Sequence, residues 1–163
     1  MAGAPGAPAE ESPETAEFNR EWIEILNEIR VALPGVQLLF GFLLAAPFTD
    51  TFEKMGEVIR AAYFISFLST TGSCAFLIAP SVYHRLHWRR DVRDKEAMLR
   101  SCNRLAILGI VLLACAMISA VYLISRIVAG PVAAAWVTLA TGLLFSGLWF
   151  ILPLARRSAE RSR

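Results

Sequence analysis

The chain has 163 residues, of which 56% are hydrophobic and 18% charged, and its formal net charge is +2. A soluble domain of this length rarely carries so much apolar sequence. The apolar stretches also leave no room for a second folded domain. The three cysteines, Cys74, Cys102 and Cys115, form no C-x-x-C pair, which argues against a disulfide framework and against a cysteine metal site.

Residues 1–11 contain mostly Ala, Gly, Pro and Glu without periodicity, which predicts a disordered tail. Ser12 and Pro13 then have the residue types of a helix N-cap and first turn, and an amphipathic interfacial helix is predicted over 12–30. Its apolar stripe consists of Phe18, Trp22, Ile25, Leu26 and Ile29, and its acidic face of Glu14, Glu17, Glu21, Glu24 and Glu28. We expect the stripe to lie at the membrane surface while the carboxylates face arginines of the same chain. Docking of a partner protein is the alternative.

Four long apolar stretches follow and predict four membrane spans, at about 31–48, 61–83, 105–125 and 131–154. None of them contains Asp, Glu, Lys, Arg or His. A bilayer core is crossed by about 20 helical residues, which the last three stretches reach and the first approaches. The first stretch is not a typical signal peptide, because the residues before it are acidic and no A-x-A site follows. The fold class is therefore an all-α membrane protein, an antiparallel four-transmembrane-helix bundle over 31–155.

The first two spans contain the polar residues that invite a functional interpretation. Leu33-Pro34-Gly35 predicts a bend into the membrane, and Gln37 is expected to point into the bundle, as a helix–helix contact rather than a substrate contact. The second span contains a patch of small and hydroxyl residues over 66–74, for which helix packing is favoured over a pore lining. Pro80 is expected to end or kink this span. Thr138, Gly142 and Ser146 of the fourth span are spaced as a small-residue interface.

The positions of Lys and Arg predict the orientation. Of the 16 such residues, 13 lie before the first span, between the second and third, or in the C-terminal tail 156–163, and three lie in the other two connections. Positively charged short loops stay in the cytoplasm, so both termini are predicted to be cytoplasmic. Outer connections are expected at 49–60 and near Arg126–Pro131. The basic residues also predict attraction to anionic lipid headgroups, and no nucleic-acid-binding module is recognisable.

Three segments resemble a known family: 28–44 (EIRVALPGVQLLFGFLL), 79–85 (APSVYHR) and 103–106 (NRLA). Together they resemble a bacterial family of small four-span membrane proteins of unknown function, and the resemblance covers nearly the whole chain after the tail. It implies a location in the bacterial cell membrane. Some members are labelled sodium:proton antiporters. An ion exchanger needs an ionisable group inside the membrane, and the four spans offer none, so the sequence does not support that activity here.

The family-like segments predict one polar cluster at the cytoplasmic ends of the first three spans. Its candidate members are Glu28, Arg30, Gln37, Tyr83, His84, Arg85, Asn103 and Arg104. A network that caps helix ends is the favoured interpretation, and a small anion or headgroup pocket with Glu28 orienting the arginines is the alternative. His84 and His87 lack a third ligand nearby, so no metal site is predicted.

Three classes of function remain open. A non-enzymatic scaffold, lipid-binding protein or partner subunit is favoured. A small transporter or channel, working as an oligomer, is the alternative. An enzyme is not expected, because no paired acid and base, activated nucleophile or metal set is present. No cofactor is predicted. The expected partners are anionic lipids, with a second copy of the chain or another membrane protein as further candidates.

Overall fold

The computed structural model describes residues 13–87 and 92–151, which form long helices joined by short turns. The elements in chain order are α1 (Pro13–Ala45), a 3-10 turn (Ala46–Phe48), α2 (Asp50–Glu53), α3 (Glu57–His87), α4 (Val92–Ser146) and a π-helical turn (Gly147–Ile151). Three stretches are long and apolar enough to cross a membrane: Asn19–Phe48, Glu57–Val82 and Ala97–Trp149. The prediction of an all-helical protein with membrane-length helices is confirmed, and the predicted tails 1–11 and 156–163 lie outside the described residues.

Helix α1 runs continuously through Pro34 and Gly35, so the chain does not leave the helix at this point, and the bend of the axis predicted there stays a prediction. Its buried side chains recur every seven residues on both sides of Pro34, at Trp22, Ile29, Val36 and Leu43. This spacing keeps one seam of the helix against its neighbours. Pro34 itself is exposed, and there the loss of one helical hydrogen bond creates no packing conflict. The segments 12–30 and 31–48, predicted as separate units, therefore belong largely to one helix.

The connections are shorter than predicted because the helices extend beyond the apolar stretches. Pro80 was expected to end or kink the second span; helix α3 continues through it to His87, so the helix does not end there, and the kink stays a prediction. Helix α4 already begins at Val92, which places much of the basic middle connection on helix. Its Arg, Lys, Glu, Ala and Met residues are strong helix formers, and a helix satisfies its own backbone hydrogen bonds in water as well as in lipid.

Neighbouring helices run antiparallel. Ser66 Oγ of α3 donates to the Ala116 carbonyl of α4 at 2.9 Å, and Ser73 Oγ donates to the Gly109 carbonyl at 2.8 Å. As residue numbers rise along α3, those of the contacts on α4 fall. The same holds between α1 and α3, where Tyr63 donates to the Leu43 carbonyl and Phe67 stacks on Phe40 with ring centroids 5.6 Å apart.

Helix α4 is interrupted at Gly130, where φ is 82° and ψ is −177°. On either side of this break the chain is helical, and a Cβ at Gly142 would lie 4.0 Å from Ile118 Cδ1. These two residues are equally far from Gly130 in sequence. In one straight helix they would be about 36 Å apart, so the chain reverses direction at Gly130. The break lies where Gly130-Pro131 predicts a turn.

The buried core consists of two clusters toward opposite ends of the helices. One contains Ile29, Val36, Leu77, Ala106 and Leu113, and the other Leu43, Ala62, Tyr63 and Leu123. Many large apolar side chains remain on the outside, among them Leu68, which is 65% exposed, and Trp136, which is 68% exposed. Soluble monomers rarely expose so much contiguous apolar surface, and lipid is the solvent in which this surface is stable.

Candidate functional site

The structure places the helix positions of the predicted polar cluster toward one end of the bundle. Ile29, Leu77 and Ala106 share a buried cluster. Glu28 and Arg30 flank Ile29 in sequence, while Asn103 and Arg104 lie within one turn of Ala106. Tyr83, His84 and Arg85 lie on α3 beyond Leu77, and their side chains are outside the described part of the structure.

The described members of this cluster do not form a closed pocket. Glu28, Arg30, Asn103 and Arg104 are all exposed. Within the described residues, the ion pair is Arg20 Nε to Glu24 Oε1 at 3.4 Å, on the surface of α1, and no ion pair or hydrogen bond joins the four. The arginines are therefore available to ligands from outside the chain, and the anion pocket stays a prediction.

Gln37 is exposed, so the expectation that it points into the bundle is wrong. Val36 occupies the buried seam instead, with none of its surface exposed. Successive residues of an α-helix are rotated by about 100°, which turns Gln37 onto the flank of α1. The structure therefore separates Gln37 from the other predicted site residues.

The N-terminal half of α1 packs against its own bundle. Ile25 and Ile29 contact the cluster that contains Leu77 and Ala106, and Trp22 is only 4% exposed. The acidic face points away, with Glu17, Glu21, Glu24 and Glu28 exposed. The prediction pairs these carboxylates with arginines of the basic middle connection and of the C-terminal tail, and most of those side chains lie outside the described part of the chain.

The hydroxyl patch of α3 is a packing interface. Ser66, Thr70 and Ser73 are fully buried. Ser66 and Ser73 donate to carbonyls of α4, and Thr70 Oγ1 donates to the Ser66 carbonyl at 2.7 Å. Hydroxyls that are committed to backbone carbonyls tie helices together. The favoured sequence interpretation therefore agrees with these contacts.

A close approach at Gly109 was not recognised from the sequence. A Cβ built on Gly109 would lie 2.7 Å from Leu77 Cγ, so only glycine allows α3 and α4 to come this near. The available signal was a stripe of small residues on the third predicted span, which the structure buries at Ala106, Ala116 and Ala120. Small residues at helical spacing are typical of membrane helix contacts.

An aromatic cluster at the other end of the bundle was also missed. Tyr63 is buried, and its hydroxyl donates to the Leu43 carbonyl at 3.0 Å, one of the carbonyls left without a partner in the last turn of α1. The Tyr63 ring contacts Phe52 edge-on at 5.0 Å. The Arg60 guanidinium lies 5.9 Å from the centre of the Phe52 ring. These contacts fasten the α1–α3 connection.

No group of three His, Cys, Asp or Glu residues suited to a metal ion occurs among the described residues. The three cysteines are free and differ in burial: Cys74 is half-buried, Cys102 is buried and Cys115 is exposed. The side chains of His84 and His87 are outside the described part of the structure. The prediction that the protein needs no cofactor stays a prediction.

One family model, described as "Family of unknown function (DUF6328)", matches residues 10–153. The chain belongs to this family. The match includes all three segments on which the resemblance was based, so the predicted membership of a family of unknown function is confirmed. No curated protein and no solved structure matches the chain. Membership in DUF6328 therefore assigns no activity to the chain.

Proposed function

We propose that this DUF6328 protein is a non-enzymatic, four-span protein of the bacterial cell membrane that holds anionic lipid headgroups at its basic, cytoplasmic end. Three non-enzymatic roles were considered: scaffold, lipid-binding protein and partner subunit. Of these, the geometry supports lipid binding best. The observation that carries it is the exposure of Arg30 and Arg104 at the same end of the bundle without a carboxylate partner among the described residues.

The reversal at Gly130 supports four spans. Helix α4 has 55 residues, which would extend about 80 Å if it were straight, more than twice the thickness of a bilayer core. The turn divides it into two segments of spanning length when the π-helical turn is included. With an even number of spans, both termini are on the same side, and the distribution of Lys and Arg makes that side the cytoplasm.

Depth in the membrane supports headgroup contact. Phe40 of α1 stacks on Phe67 of α3, so these two residues lie at the same level. Because the two helices are antiparallel, Gln37, three residues before Phe40, lies level with Thr70, three residues after Phe67. Thr70 is near the middle of the membrane-length stretch Glu57–Val82. Arg30 is two helical turns from Gln37, about 10 Å along the axis. The half-thickness of the hydrocarbon core is about 15 Å, and an arginine side chain bridges the remaining distance by extending toward the surface.

Arg104 lies at a matching depth on α4. A Cβ at Gly72 would be 3.0 Å from Leu112 Cδ1, which places Leu112 near the level of Thr70. Arg104 is eight residues before Leu112, about 12 Å along the helix. Two guanidinium groups at the same level suit phosphate, because each presents a planar fork of donors to its oxygens.

Lipid retention in nanodiscs of mixed neutral and anionic lipid tests this proposal. The charge-removing variant Arg30→Gln/Arg104→Gln is compared with Lys54→Gln, an exposed residue at the other end of the bundle. Each basic residue near the surface contributes about 1 kcal/mol to anionic-lipid attraction, so we expect about fivefold weaker retention per arginine, measured by native mass spectrometry. The control is expected to retain lipid as the wild type does. Equal retention in all three proteins would leave the arginines as topology signals only.

Cysteine labelling tests the orientation independently. In a background without Cys74, Cys102 and Cys115, Lys54→Cys is expected to react with a membrane-impermeant maleimide in intact cells. Ala97→Cys, at a position that is also exposed, is expected to react only after the cells are permeabilised. The reverse pattern would invert the topology, and labelling of both in intact cells would contradict the crossing of the membrane by α3, which lies between the two positions.

Transport is not favoured within one chain. The buried hydroxyls that would line a path donate to backbone carbonyls instead, and ion exchange requires an ionisable group inside the membrane.

A further inference from the structure

Gln37 places a polar amide near the middle of the membrane-length part of the bundle. Its depth follows from the stacking of Phe40 on Phe67, which sets it level with Thr70. Around it the outer surface is apolar, with Leu38 64% and Phe42 67% exposed. Helix α1 therefore presents one amide to the region where the membrane contains no water.

The amide has no hydrogen-bond partner among the described residues of its own chain. Its neighbour Val36 takes the buried position in the seam, and Gln37 is exposed beside it. An amide transferred to hydrocarbon without a partner costs several kcal/mol. A polar group in this position is stable when a second helix covers it.

Gly41 lies one turn further along the same side of α1. No contact with the described part of its own chain requires a glycine at this position. A Cβ at Gly41 would meet nothing within 4 Å, in contrast to Gly109, where Leu77 is in the way. Glycine inside a helix costs about 1 kcal/mol relative to alanine. Small residues in membrane helices allow a neighbouring backbone to come close, and Ala45, exposed one turn beyond, continues the small surface.

We propose that a second copy of this chain covers this face, so that two α1 helices pack around a twofold axis between their Gln37 side chains. An amide is self-complementary, because its carbonyl accepts from the NH2 group of an identical amide, and a twofold axis pairs each residue with its own equivalent. The segment 31–48 contains no charged residue, so nothing on it selects a partner of opposite charge. Arg30, two turns away on this side, lies near the headgroups, where lipid phosphate screens it.

The test measures dimerisation of the full-length protein in lipid vesicles. Energy transfer between donor-labelled and acceptor-labelled copies is followed as the lipid-to-protein ratio is raised. Gln37→Leu is expected to weaken association about tenfold, because it removes the paired amides. Gly41→Leu is expected to abolish it, since the side chain separates the helices. Gly35→Leu is the matched control. It also has open space around its Cβ, but lies about 120° around the helix from Gly41, and it is expected to associate as the wild type does.

A Cβ at Gly41 or at Gly35 meets nothing within 4 Å in the described part of the chain, and both positions are exposed, so both leucine variants are expected to keep wild-type helicity. A wild type that stays monomeric at all ratios would overturn the inference. A dimer that forms equally well in both Gln37→Leu and Gly41→Leu would also overturn it. The same conclusion would follow if a different protein co-purified in stoichiometric amount with the wild type and was absent from preparations of Gln37→Leu. The inference requires that α1 crosses the bilayer but not that the arginines bind lipid, because Arg30→Gln/Arg104→Gln is expected to lose lipid while still dimerising.

Discussion

Replacing Gly109 with alanine is expected to destabilise the protein by roughly 2–3 kcal/mol, the upper range for overpacking a core. The new Cβ would lie 2.7 Å from Leu77 Cγ, 2.8 Å from Leu77 Cδ2 and 3.3 Å from the Leu77 backbone nitrogen. Leu77 is fully buried, so it has no free space into which to turn. Helices α3 and α4 must separate, which also stretches the Ser73 hydrogen bond to the Gly109 carbonyl. The measurement is unfolding in mixed detergent micelles, followed by circular dichroism.

A double-mutant cycle distinguishes this contact from a general effect of alanine. Leu77→Ala removes the atoms that collide, so it is expected to cost about 1–2 kcal/mol less in the Gly109→Ala background than in the wild type. Gly35→Ala provides the control, because its Cβ would meet nothing within 4 Å, and alanine is expected to stabilise that helix by up to about 1 kcal/mol. Strict additivity of the two substitutions would show that Leu77 is not what Gly109 accommodates.

Replacing Gly130 with alanine is expected to cost about 1–3 kcal/mol for a different reason. No atom lies within 4 Å of the added Cβ, so there is no collision with a neighbour. The cost comes from the backbone, whose φ of 82° and ψ of −177° fall in a region that only glycine enters readily. We expect the hairpin within α4 to loosen, as measured by unfolding and by the distance between spin labels on either side of the turn.

Gly147→Ala is the matched control for the turn. Its Cβ would also have open space, but its φ is not positive, so we expect little change or a small gain in stability. If Gly130→Ala were as stable as Gly147→Ala, the reversal of α4 would not depend on the conformation of this glycine. The support that Gly130 lends to a four-span arrangement would then be lost.

Several features followed from local sequence. The membrane-length apolar helices and the turn at Gly130-Pro131 agree with the patterns that predicted them. Each depends on a run of neighbouring residues, whose hydropathy, spacing or backbone freedom acts within a few turns. Family membership also depends on short segments, and the match over 10–153 confirmed it.

Predictions about which way a residue faces were weaker. Gln37 was expected inside the bundle, and it lies outside, because α1 uses the seven-residue spacing of Trp22, Ile29, Val36 and Leu43 for its contacts. In a membrane helix both the inner and the outer side are apolar, so hydropathy alone does not tell them apart. Pro34 was expected to bend the chain and Pro80 to end or kink its helix, and both lie inside continuous helices.

The predicted polar cluster shows the same division. From the sequence, its members belong to helix ends, and the packing of Ile29, Leu77 and Ala106 does bring the α1 and α4 members to one end. The sequence did not indicate that Glu28, Arg30, Asn103 and Arg104 would all be exposed. Their exposure depends on the rotation of each helix, which is set by contacts with residues far away in the chain.

By itself, the sequence determined the helical class, the membrane-length segments, the place of the Gly130 turn and the uneven distribution of charge. These depend on hydropathy, on backbone preferences and on composition, which act locally. Only the tertiary structure decided that Gly109 accommodates Leu77, that Ser66 and Ser73 bind α4, and that Gln37 faces outward. The reason is that the rotation and depth of each helix are set by close contacts between segments far apart in sequence, and a nearly uniform apolar pattern does not encode them.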